Sequence, residues 1–185
     1  MDWNSEQYLK FKTERTQPAV DLVNRINMVN LGKILDVGCG PGNSTQVLYL
    51  KYPGAYILGV DKSEDMINTA KIKYPYLDFK ICDVSKDLSE LDGCFDIVFS
   101  NACIQWVPDH KHLLKNLMNL LDENGVLAVQ IPMNNNEPVH QIINNIISSI
   151  KWSKYFTEPR IFYTLSRSEY YDIFSSIKKA ISSYK

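Results

Sequence analysis

Apolar positions in this chain follow two periods, and the switches between them lay out its architecture. Ile34-Leu35-Asp36-Val37, Tyr56-Ile57-Leu58-Gly59-Val60, Leu77–Cys82, Phe95–Ser100 and Gly125–Ile131 are short runs with the pattern of strands, several of them continuous enough for a buried parallel sheet. Between them the spacing turns helical. Val47, Leu48 and Leu50 form one face, closed by Pro53-Gly54, and Met66-Ile67 begins another. His110 opens a helix with Leu113, Leu114, Leu117, Met118 and Leu121 inside, closed by Asn124-Gly125. Val139, Ile142, Ile143, Ile146, Ile147 and Ile150 mark a further amphipathic helix. Ser5 can cap a first helix to about Thr16; Pro18 predicts a break, with Val20, Leu22, Val23 and Ile26 on a second helix. Beyond Lys151 the chain is aromatic-rich, helical around Glu169–Ile181 and without a clear strand. Strands alternating with helices predict an α/β fold with an open sheet.

The first strand runs into Gly38, Gly40 and Gly42, with Asn43 or Ser44 able to cap the next helix. Such a turn lets the backbone approach a ligand closely and is expected to offer free N–H groups beside it. The dinucleotide fingerprint is not met: its third glycine position holds Asn43, with Gly42 one residue early. Asp36, two residues before the first glycine, would repel a pyrophosphate but suits an ammonium group. A nicotinamide oxidoreductase is therefore the least favoured reading. Asp61 ends the second strand about 20 residues beyond the glycines, where open α/β folds grip ribose hydroxyls. An acceptor-only carboxylate suits a vicinal diol, and Ser63 or its neighbour can cap the following helix in its stead. Ligands in such sheets bind beyond the strands' carboxyl ends, which places Asn101, Gln105 and Trp106 at the reacting end.

Asp-x-Gly-x-Gly-x-Gly after a strand resembles the first motif of the class I S-adenosyl-L-methionine (SAM)-dependent methyltransferases. Further features resemble one branch, the trans-aconitate methyltransferases: Asp2-Trp3-Asn4, Tyr8…Phe11…Glu14-Arg15, Pro18-Ala19…Asp21-Leu22, Leu35–Thr45, Gly59-Val60-Asp61, Phe99–Ala102, Gln105–His110 and Ala128–Pro132. The resemblance implies a Rossmann-like, doubly wound, mostly parallel sheet with an N-terminal helical arm. It implies SAM as cofactor, S-adenosylhomocysteine as product and a small polycarboxylate as acceptor. It further implies cofactor contacts from Asp36, Gly38, Gly40, Asn43, Asp61, Lys62, Met66, Cys82, Asp83, Val84 and Asn101, with Asp83 accepting from the adenine amino group. Family sheets usually have seven strands, the last two a hairpin, whereas five strand patterns are present here. The fifth strand is then expected to be an edge, with self-association or an ordered tail over it.

A methyl acceptor that is a carboxylate is ionised at neutral pH and needs no general base, which agrees with a sequence lacking an evident nucleophile–base pair. It needs cations: Arg15 first, then Arg160 and His140. Tyr8, Phe11, Lys12 and Arg15 share one helical stripe, readable either as a lid over the ligand or as two packed aromatics beside two solvated cations. Tyr8 and Trp106 are the aromatic residues expected near the sulfonium. An alcohol or amine acceptor would call on His110, His112 or His140 as base, although the first two sit at a helix start where partial solvation is usual. Another small metabolite as acceptor, and a SAM-binding remnant with little activity, are the alternatives.

Composition bounds the rest. With 185 residues and 45% apolar content the chain can bury one substantial core, so one domain over 1–185 is expected. Within it, 1–30 reads as the arm, 31–135 as the cofactor-binding core and 136–185 as a shorter helical end. Net charge is −1 without basic runs, which argues against nucleic-acid or membrane partners. The polar, acidic start is unlike a secretory signal, and no apolar run nears the roughly 20 residues of a spanning helix. Cys39, Cys82, Cys94 and Cys103 form no C-x-x-C pair and read as reduced residues of a cytoplasmic protein, with no metal site.

Overall fold

The computed structural model describes residues 5–6, 10, 12–86, 88–134, 137–156 and 161–182. Its elements are α1 (Lys12–Val23), β1 (Lys33–Val37), α2 (Asn43–Lys51), β2 (Tyr56–Asp61), α3 (Glu64–Lys73), β3 (Asp78–Ile81), β4 (Phe95–Asn101), α4 (His110–Asn119), β5 (Leu121–Gln130), α5 (Pro138–Ile147) and α6 (Arg167–Ser182). Short 3-10 turns cover Ile104–Trp106 and Ser153–Tyr155. Among the described residues no helix is long and apolar enough to cross a membrane.

All five strands are parallel, in the order β3-β2-β1-β4-β5. The chain runs outward from β1 to β3, returns to β4 beside β1, and runs outward again to β5. The reversal between β1 and β4 opens a crevice at the strands' carboxyl ends. Period-two alternation sorts β1 between two cores. Leu35 and Val37 join Val98, Leu113, Leu114 and Leu117 on one face, where Tyr170 and Ile173 of α6 also pack. Ile34 joins Ala19, Val23, Leu48, Ile57 and Ile97 on the other. Helices cover both faces, so the sheet is doubly wound.

Three local expectations are corrected. Pro18 does not break the first helix: α1 runs through it, and the bond its missing N–H forfeits is offset by complete burial of Ala19 and Val23 beyond it. Neither Asn43 nor Ser44 caps α2. The cap is Gly42 in the left-handed conformation, because Ser44 turns its hydroxyl back to Asp36 and Asn43 is held by Lys73 and Tyr74. Asn124-Gly125 does not close α4, which ends at Asn119 with Leu120 as its cap. β5 already begins at Leu121, where it pairs with Phe95, and Val126 next pairs with Ile97, so Asp122–Gly125 bulges out of register.

The carboxyl-terminal third is built differently. α5 buries none of its residues, and Val139, Ile142, Ile143 and Ile146 remain exposed along it. The topology leaves β5 as one sheet edge, as its sequence position predicts.

Candidate active site: the crevice at the switch point

The ends of four strands supply the crevice. Gly38 and Gly40 follow β1, Asp61 ends β2 with Lys62 and Met66 after it, Cys82–Ser85 follow β3, and Asn101–Cys103 close β4, with Trp106–Pro108 along the rim. Its empty volume is about 890 Å³, open mouth included. Gly38 and Gly40 both have positive φ, of 72° and 54°. A Cβ on Gly38 would lie 2.2 Å from the Cys103 sulfur, so this glycine lets β1 and the β4 loop meet. A Cβ on Gly40 would meet nothing within 4 Å, since that residue faces open space.

The glycine turn does not offer the free N–H groups expected of it. Gly38 and Cys39 both donate to the Val60 carbonyl, at 2.8 and 3.0 Å. Gly40 donates to Asp61 Oδ2 at 3.0 Å and Gly42 to the Cys39 carbonyl at 3.1 Å. The turn's donors are spent holding β2 and the loop itself, so this is no phosphate cradle.

The crevice is instead rich in acceptors. Asp61 takes N–H groups from Gly40 and Ser63, one on each oxygen, which leaves lone pairs on both. Burial raises its pKa, against the lowering effect of those N–H groups. Asp83 takes the N–H and hydroxyl of Ser85 on Oδ1, with Lys86 Nζ 3.8 Å from Oδ2. Burial pushes Asp83 up, but the Ser85 bonds and the Lys62 and Lys86 charges outweigh it and hold the carboxyl below its ordinary value. Asn101 Oδ1 is buried with no hydrogen-bond partner among the described residues, an acceptor awaiting a donor. Burial raises the Cys82 thiol and pushes Cys103 up to about 12, so both line the site as neutral groups.

Asp36 lies under this floor rather than in it. It is fully buried and accepts the hydroxyls of Ser44 and Thr45 on Oδ2, each at 2.7 Å, while Oδ1 is unpartnered. Burial raises its pKa to about 6, partly offset by those hydroxyls and reinforced by the charge of Asp61. At neutral pH it is mostly ionised, a negative charge beneath the glycine turn. Asn43 is likewise absent from the lining, its oxygen taken by Lys73 Nζ at 2.7 Å. The other expected cofactor residues, Gly38, Gly40, Asp61, Lys62, Met66, Cys82, Asp83, Val84 and Asn101, all line the crevice.

The acceptor side gathers fewer of the expected residues. Trp106 lines the crevice. Gln105 is buried, donating from Nε2 to the Ala102 carbonyl at 2.8 Å, with Oε1 unpartnered. Arg15 is exposed on α1 and His140 half-buried on α5, neither in the lining. Tyr8 and Arg160 lie outside the described residues. His110 is not the solvated helix-start residue expected, because both ring nitrogens are engaged inside the fold, by the Ile104 carbonyl and the Tyr170 hydroxyl. His112 is exposed, and its Nε2 accepts from Asn116. Sequence reasoning missed Ser85, Ala102, Cys103, Val107 and Pro108. All five lie within two residues of one it singled out, so loop continuity was the available signal.

Known proteins match this arrangement. A methyltransferase domain family matches residues 29–165. Trans-aconitate 2-methyltransferase of Rhodopseudomonas palustris (strain HaA2) is 45% identical over 151 residues, covering 82% of this chain and 58% of that protein. The protein of the same name from Shigella dysenteriae serotype 1 (strain Sd197) is 40% identical over 174 residues, covering 94% of this chain and 67% of that one. The chain thus spans about 60 to 70% of these relatives' length. In fold it is similar to Haemonchus contortus phosphoethanolamine N-methyltransferase 2, solved in complex with S-adenosyl-L-methionine. That likeness has a TM-score of 0.64 at 19% identity, over 87% of this chain and 36% of that one.

Proposed function

This chain belongs to the methyltransferase domain family, in its trans-aconitate methyltransferase branch, and from that premise we propose that it transfers a methyl group from SAM to a carboxylate of a small polycarboxylic acid. The observation that carries this reading is the polarity of the crevice. Its glycine turn has spent its donors on Val60, Asp61 and Cys39, while Asp61, Asp83 and Asn101 present acceptors. A ligand that fits must bring donors, as an ammonium group, a ribose diol and an adenine amino group do, and a pyrophosphate does not.

When bound, SAM supplies a methyl group already activated by its sulfonium. The chain's own task is to hold and align. Asp61 has the spare lone pairs to take both ribose hydroxyls. Asp83, kept ionised by Ser85 and the nearby lysines, accepts from an exocyclic amine. Asp36 acts by charge from beneath the turn, favouring an ammonium above it without touching it, and Asn101 offers its free oxygen. Met66 and Val84 give the apolar sides. Correct alignment of the acceptor can contribute about 7–11 kcal/mol to such a displacement. A carboxylate nucleophile is ionised and asks for no base, and His110, whose two nitrogens are both occupied, offers none.

The lining supports a second reading, cofactor binding with little turnover. Among the described lining residues Lys62 is the one cation, beside Asp61 and Asp83, and it sits at the cofactor end. The acceptor's cations are then to be sought among Arg15 and His140, neither of which lines the crevice, and Arg160, which lies outside the described residues. Titration calorimetry with SAM and with NAD, followed by radiolabelled methyl transfer to trans-aconitate, separates the readings. Uptake of SAM alone with transfer of label supports the first; SAM uptake without transfer to any small acid leaves the second; preferential NAD binding removes both. The β5 edge and the exposed α5 face also favour self-association. A sedimenting monomer at high concentration would set that aside.

A further inference from the structure

Beyond α5 the chain meets the rim of the crevice without entering its lining. The returning stretch, residues 161–170, is fastened to the rim turn Ile104–Trp106 at successive points. Phe162 packs on the Trp106 ring with centroids 4.6 Å apart at 37°. Tyr163 N–H donates to the Gln105 carbonyl at 2.9 Å. The Tyr170 hydroxyl meets His110 Nδ1 at 2.6 Å, and His110 Nε2 meets the Ile104 carbonyl at 2.8 Å.

A carbonyl only accepts, so His110 Nε2 carries a proton, and in the neutral imidazole Nδ1 holds a lone pair. Tyr170 must therefore donate its proton to Nδ1, and its oxygen accepts the Leu165 N–H at 3.4 Å. Leu165, Tyr170, His110 and Ile104 form one line from the returning stretch to the rim turn. Its two middle members are anchored in the fold: His110 is buried at the start of α4, and Tyr170 packs against the core cluster that holds Leu113 and Leu117. Phe162 and Tyr163, by contrast, are 36% and 37% exposed, and they meet the rim through the Trp106 ring and the Gln105 carbonyl.

We propose that residues 161–170 buttress the Trp106 wall of the acceptor site without lining it themselves, and that Tyr170, acting through His110, is the positioning residue that locks this buttress to the Gln105–Trp106 turn. The proposal rests on the methyl-transfer reading for its substrate, but its geometry stands apart from it. Trp106 lines the crevice on one side and is backed by Phe162 on the other, so the wall's position sets how closely a flat, unsaturated acid can approach. Among the described residues, the hydrogen bonds of the expected cofactor residues on β1, β2 and β3 do not include this line, and its loss should be felt by the acceptor alone.

Tyr170→Phe keeps the ring in the core and removes the hydroxyl. The expected result is a KM for trans-aconitate raised about 5- to 10-fold, the loss of one neutral hydrogen bond. The SAM dissociation constant should stay within about twofold, and exchange at the Tyr163 amide should quicken. An unchanged KM, or KM and SAM affinity weakening together, overturns the proposal. Phe162→Ala, at an exposed position that leaves the core intact, must raise the same KM, and failure to do so counts equally against it. Should the parent bind SAM yet methylate no acid, the acid reading fails while the wall is still judged. In a Trp3→Phe, Trp152→Phe background carrying SAM, Tyr170→Phe must increase acrylamide quenching of Trp106 and exchange at Tyr163. Unchanged values there refute it.

Discussion

The two ends of the crevice are built on opposite plans. At the end proposed for the cofactor, side chains are fixed by backbone: Asp61 is clamped by two N–H groups from different loops, and the glycine turn hangs on the Val60 carbonyl. At the end proposed for the acceptor, an aromatic turn is met by one returning stretch whose own residues are partly exposed. A cofactor common to a large family can be met by rigid geometry set by strand ends, while an acceptor that differs between branches is met by loops. Mutations at the first end should therefore abolish binding, and those at the second should retune it.

The largest effect expected is from Asp61→Ala. It removes the diol's acceptor and strands the Gly40 and Ser63 N–H groups, so SAM affinity should fall more than about 100-fold by calorimetry. Affinity equal to the parent's would end the rigid-end interpretation. Next, Gly38→Ala should destabilise the fold by about 2–4 kcal/mol, since its Cβ would meet Cys103 at a left-handed position. Cys103→Ala should not rescue it, because the Cys103 Cβ would itself lie 2.3 Å away. A clear rescue in chemical denaturation would show that the clash lies elsewhere.

Asp36 gives an effect of intermediate size with a definite sign. Its pKa rises from 3.8 unfolded to about 6 folded. Its contribution to stability is therefore whole below pH 3.8 and lost as pH rises through about 6. Asp36→Asn should flatten that part of the pH–stability curve by something on the order of 2 kcal/mol, seen in urea unfolding between pH 4 and 7. A slope unchanged in the variant would assign it to other carboxylates. Arg15→Ala should raise the acceptor KM severalfold and leave SAM binding alone if Arg15 holds the acid as proposed, and an unchanged KM would remove it from that role. Smallest of all, His112→Ala should leave kcat within about twofold, since its ring faces solvent on α4.

Much of the first end was legible in the sequence for the reason it is rigid. Strand ends are fixed by periodicity, so the positions of Asp61, Asp83 and Asn101 follow from where apolar runs stop. Asp36 was only half legible. Its type and offset are readable, but the fold on which Ser44 and Thr45 turn inward to it is not, so a direct contact was expected where a buried charge is found. Free N–H groups in the glycine turn were expected because composition shows who can turn, not who is already bonded. Pro18 misled because local preference was outweighed by the burial of Ala19 and Val23. The rim line through His110 and Tyr170 joins residues 60 apart, which no local pattern encodes.

The bare face of α5 has one more consequence. Pro138–Ile147 carries no ionisable side chain but His140, yet four of its aliphatic residues stand in water. Such a face attracts amphiphiles, so a dye that brightens on greasy surfaces should light up on the native chain without any unfolding. Fluorescence that fades as protein concentration rises would then read out directly how much of that face is being hidden.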